Sequence, residues 1–188
     1  MRFLLFALLI ISLVQLGCSE SSNFLTDPAK SYPELVKLPP RSSSSLSTET
    51  LFSVSKTIQG KHGGTIIIDE SYESEDGQTV TIYGKLKIPK HSFQGTKTIT
   101  MTIDDEFAAV HFEPTMDFNK SLKLDLEFTG LDLENLGFED GKWDFAFISD
   151  DGEIEIVKKK GMSIDISDGE LSVEKAKLNH FSRYGWCR

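Results

Sequence analysis

The chain has 188 residues, with 29 acidic against 20 basic side chains and a formal net charge of −9. An acidic chain lacks the positive field that nucleic-acid binding requires, so nucleic acid is excluded as a partner. The length suits one core with a tail to spare, and neither of the two cysteines stands at metal-ligand spacing.

The first segment reads as an export signal over residues 1–17. One basic residue, Arg2, precedes an apolar run from Phe3 to Leu16, and Gly17 precedes Cys18. The run is shorter than the ~20 apolar residues of a membrane-spanning helix, and it fits the apolar core of a signal peptide. Gly17-Cys18 resembles the processing site of a bacterial lipoprotein, in which the cysteine becomes the first mature residue and its thiol is acylated. A thiolate is the natural nucleophile for that transfer. Gln15 and Leu16 depart from the usual Leu and small residue of such signals. A second reading is cleavage after Ser19, which removes Cys18 and releases a soluble protein; a third is an uncleaved anchor. On the first reading Cys187 is left unpaired.

Residues 18–50 read as a disordered tether. They hold Pro28, Pro33, Pro39, Pro40 and the run Ser42-Ser43-Ser44-Ser45, too little apolar surface to order themselves. The stretch Tyr32–Val36 is the one place in it where docking is conceivable.

From residue 51 to 188 the period is two. Apolar side chains alternate over Val80–Ile88, over Ile99, Met101 and Ile103, and over Leu122, Leu124, Leu126 and Phe128, the mark of half-buried strands. Thr65-Ile66-Ile67-Ile68 is apolar on both faces and predicts a central strand. Asp76-Gly77, Asp151-Gly152 and Asp168-Gly169 supply tight-turn chemistry. The region predicts an all-β fold, an antiparallel β-sandwich of about nine strands, with only a helical turn near Leu131–Leu136. Lys158-Lys159-Lys160 reads as protection of a strand end or edge.

Several phrases in this region resemble a known family. Gly63-Gly64-Thr65, Leu86-Lys87-Ile88-Pro89 and Thr98–Met101 resemble the opening of the ZU-five-like domain, named for zonula occludens proteins and netrin receptors. Phe112-Glu113-Pro114 with Phe118-Asn119-Lys120, then Trp143, and finally Leu178-Asn179-His180-Phe181-Ser182-Arg183-Tyr184 follow in the family's order. An acidic hairpin around Glu73–Gln78 and Ser121 in place of a proline depart from it. The resemblance covers roughly residues 58 to 185. It implies a β-sandwich used as a surface or interaction module, with no cofactor.

Three functions follow as expectations. The first is a lipoprotein of the cell envelope, in the outer membrane or at the cell surface. It is held to the membrane through lipid on Cys18 and presents a non-enzymatic module to an envelope protein or glycan. The second is self-cleavage between Phe181 and Ser182, as the resemblance implies for His-Phe-Ser phrases, with the Ser182 hydroxyl as nucleophile and His180 assisting. It predicts loss of residues 182–188, and an intact mass with the full C-terminus would exclude it. The third is a secreted carbohydrate binder with Tyr83, Tyr184 and Trp186 as its aromatic face. The acidic clusters Glu73–Asp76, Asp104-Asp105-Glu106 and Asp150-Asp151-Glu153 lack the spacing of a calcium loop, and His62, His91 and His111 are scattered, so no metal is expected.

Overall fold

The computed structural model describes residues 33–42, 52–136, 143–149 and 152–188, all within the unit Ser31–Arg188. The readings placed on Cys18 and on Asp150-Asp151 lie outside the described residues. Among the described residues, eleven strands are formed: β1 (Ser53–Gln59), β2 (Gly64–Glu73), β3 (Thr79–Ile88), β4 (Thr96–Ile103), β5 (Ala109–Glu113), β6 (Asp117–Thr129), β7 (Asp144–Ile148), β8 (Ile154–Ile156), β9 (Gly161–Asp165), β10 (Glu170–His180) and β11 (Arg183–Cys187). They form two antiparallel sheets, ordered β1-β4-β5-β11-β7-β8 and β2-β3-β6-β10-β9, as the alternating pattern predicts for a sandwich. A 3-10 turn at Glu134–Leu136 occupies the expected helical position.

The inward positions of the two sheets fill one core. Ile99, Met101, Ile103, Phe112, Tyr184 and Trp186 come from one sheet. Ile66, Ile82, Leu86, Leu124, Phe128 and Leu178 come from the other, and all of them are buried. The hairpin turns use the expected glycines, with Gly77 and Gly169 at positive φ, where any other residue is strained.

Gly84 breaks the inward row of β3 for a steric reason. A Cβ there would lie 2.3 Å from the Met101 methyl and 2.8 Å from Ile68 Cγ2. The missing side chain makes room for Met101 of the facing sheet. Gly84→Val is therefore expected to overpack the core and cost about 1–3 kcal/mol. Chemical denaturation will measure it, and an unchanged midpoint would contradict the packing described.

Two sequence expectations change. Thr65–Ile68 belongs to β2, which is an edge strand rather than a central one, and Ile67 is 49% exposed on its outer face. β-Branched residues favour any pleated surface, so local composition does not distinguish edge from centre.

The second change concerns the tether. Residues 33–42 are built into the sandwich as a strap. The β5 partnership of β11 ends at Gly185, and the strap fills the space beyond it. On one side Glu34 N donates to Arg188 O (3.2 Å), Arg188 N to Glu34 O (3.1 Å) and Val36 N to Trp186 O (3.2 Å). On the other, Leu38 N donates to Glu106 O (2.7 Å) and Ala108 N to Val36 O (2.8 Å). Val36 and Leu38 face inward and join the core. The strap then pairs with the end of β2 in the other sheet: Ser42 N donates to Glu73 O and Glu75 N to Pro40 O. Pro39 stands between these two pairings and Pro40 enters the second only as an acceptor, so neither needs a donor.

Candidate functional site

The closing phrase His180-Phe181-Ser182 is a crossover between the sheets. β10 ends at His180 and β11 begins at Arg183, so Phe181 and Ser182 alone carry the chain from one sheet to the other. Phe181 plugs the corner, stacked on Phe112 with centroids 4.9 Å apart and edge-on to Phe118 at 4.7 Å. Phe181 N donates to Met116 O, Phe112 N donates to Ser182 O, and the Tyr184 hydroxyl donates to His180 O at 2.6 Å. Burial, and then the Glu155 charge, push the Tyr184 phenol well above its ordinary range, so it remains a donor to that carbonyl.

This crossover separates the two residues of the self-cleavage hypothesis. The His180 ring packs edge-on against Phe147 at 4.2 Å, with Nε2 3.8 Å from Glu155 Oε2. Ser182 instead lines an open groove of about 470 Å³ with Asp104, His111, Glu113 and Thr115. No hydrogen bond joins His180 to Ser182 among the described residues, so the expected base is not on its nucleophile.

Beside Ser182 lies a cluster centred on Asp104, whose side chain is only 9% exposed. The β4–β5 hairpin carries Asp104 at one end of its turn and His111 on the return strand. The register of β11 against β5 pairs Arg183 with His111. Asp104 Oδ1 accepts from Glu106 N (3.0 Å) and Phe107 N (2.9 Å). Its Oδ2 meets His111 Nε2 at 3.0 Å and Arg183 Nη2 at 2.7 Å. Burial alone would raise this carboxyl. The His111 bond, the two amides and the Arg183 charge outweigh burial and hold it below the usual aspartate value. Arg183 also lies over the Phe107 ring at 5.2 Å. With His111 it lines a second groove, about 350 Å³, walled in part by Pro33 and Leu35 of the strap.

Composition flags Asp104 as one of three consecutive acids and His111 as a scattered histidine. It gives no sign of Arg183, whose partners lie far away in the chain. The hairpin spacing from 104 to 111 is the one signal that relates any of the three.

Other expected sites disperse. Tyr184 and Trp186 are buried in the core while Tyr83 is 38% exposed on the other sheet, so the three form no aromatic face. Among the described residues, no three histidine, cysteine or acidic side chains converge as a metal set. Cys187 is buried beside the strap, bridged to Leu35. Burial, and then the Asp144 charge, push its thiol up to about 11, which disfavours the thiolate that disulfide exchange requires.

No family model, curated protein or solved structure matches this chain.

Proposed function

We propose that this chain is an exported bacterial lipoprotein, anchored through Cys18, that displays a ZU-five-like sandwich as a non-enzymatic interaction module of the cell envelope. The observation that most favours binding over catalysis is the state of the Asp104 cluster. Its carboxylate already accepts from two amides, His111 and Arg183, so it is spent on structure and is not poised to take a proton from Ser182.

The strap adds a geometric argument. The strap is described from Pro33 onward, and Cys18–Tyr32 counts fifteen residues. Fully extended, that length spans at most about 50 Å. The module is thus held near the membrane, within reach of neighbours in the same envelope.

Cys18→Ser tests the anchor. The wild-type protein is expected in the detergent phase, with an N-terminal mass that begins at an acylated cysteine. The variant is expected to leave that phase or to keep its leader. Unchanged partition of the variant would end the lipoprotein reading.

A further inference from the structure

We infer that the outer edge of β8, unpaired among the described residues, is a docking site for an extended peptide strand that carries apolar and acidic side chains. This deepens the reading of the chain as an interaction module, and it rests on that reading.

Among the described residues β8 is the last strand of its sheet. Ser149 N donates to Glu153 O, and Val157 N donates to Phe145 O. In an antiparallel ladder the bonding residues alternate. Residues 153, 155 and 157 therefore face β7, and Ile154 and Ile156 turn their N–H and C=O groups outward. Their side chains are exposed as well, at 42% and 55%. Elsewhere an edge is guarded: on β2, the Lys56 ammonium donates to Thr65 O at 2.8 Å. β8 carries two bare isoleucines instead, the feature that natural edges ordinarily avoid.

Beside this edge runs a groove of about 280 Å³ lined by Ile156 itself with Glu155, Lys158, Lys177, Ser121 and Asn179, among others. The lysine run divides here. Lys159 is bonded to Asp144, and Lys160 to Glu174. Lys158 and Lys177 have no carboxylate partner among the described residues, in a chain of net charge −9. Glu155 leans toward His180. Strand addition draws affinity from main-chain bonds and specificity from alternate side chains. Side chains of an added strand meet Ile154 and Ile156, and the groove that Ile156 lines also holds Lys158 and Lys177, which have no carboxylate partner among the described residues. The fitting occupant carries apolar side chains for the isoleucines and carboxylates for the lysines.

The test uses a fluorescent synthetic peptide of alternating valine and glutamate, titrated into the folded protein by anisotropy. Saturable binding is expected, weaker by about tenfold after Lys158→Glu with Lys177→Glu. A valine–lysine peptide is expected not to bind. Ile156→Pro removes an outward N–H and leaves the β7 ladder bonds in place, so it is expected to abolish binding at unchanged melting temperature. An N-methylated peptide, which cannot pair, gives the same answer without altering the protein. Failure of the valine–glutamate peptide to bind overturns the proposal. So does equal binding of the N-methylated form, or a dimer of this chain that holds the edge and is lost in Ile156→Pro. None of these outcomes bears on the partition of Cys18→Ser, so the anchored-module reading is tested separately.

Discussion

Replacing Val36 by aspartate is expected to release the strap and destabilise the domain by about 3–5 kcal/mol. A carboxylate at a position 1% exposed cannot stay charged there without a partner, and the strap can leave more cheaply than the core can rearrange. The cost is then capped by what docking contributes, chiefly the burial of Val36 and Leu38 at about 1.5–3 kcal/mol each. The strap's backbone bonds are exchanged for bonds to water and add little net. Release has a second readout. Leu35 bridges Cys187, which is 2% exposed, so a thiol reagent that reacts slowly with the wild-type protein should react quickly with the variant. Lys37→Ala, on the strap's outer face, should change neither measurement. A Val36→Asp protein with wild-type stability and a protected Cys187 would mean that the strap is not part of the folded unit.

The strap also marks where local sequence stops being informative. β3, β4 and the second half of β6 are legible because their inward residues repeat every second position against a polar outer face, and that pattern is enough to give two sheets. The strap has only Val36 and Leu38 in that phase, among prolines and serines. Its partners are residues 73–75, 106–108 and 186–188, and no nearby signal announces them. β10 hides its pattern differently. A bulge between Val173 and Ala176 shifts the phase, with Lys175 at φ 54° and its N–H on Asp125 Oδ1 at 2.8 Å. Leu171 and Val173 therefore share an inward face with Ala176 and Leu178 across a broken period. The same limit governs the site. His180 and Ser182 are close in sequence, but the crossover sends them to different surfaces. Asp104, His111 and Arg183 are dispersed in sequence, and the register brings them together.

Asp104→Asn is expected to cost about 2–3 kcal/mol near neutral pH, and the cost should shrink in acid. The amide keeps the shape but loses the charge that His111 and Arg183 meet, and it turns a donor toward one of the groups that donate to it now. Hydrogen bonds to charged groups contribute about 1.5–3 kcal/mol. Removing one partner also leaves the Arg183 cation uncompensated at a site where its side chain is 22% exposed. The direction with pH follows from linkage. The folded Asp104 carboxyl titrates below its ordinary 3.8, so the unfolded chain takes up this proton first as pH falls. The stabilisation is complete above about pH 5, where both states are ionised. It is lost as pH falls from the unfolded value through the folded one. Below that, wild type and variant both carry a neutral side chain at position 104 and their stabilities converge. Urea midpoints measured across this range will show the convergence. A difference that stays constant into acid would mean that Asp104 holds its partners through shape rather than charge.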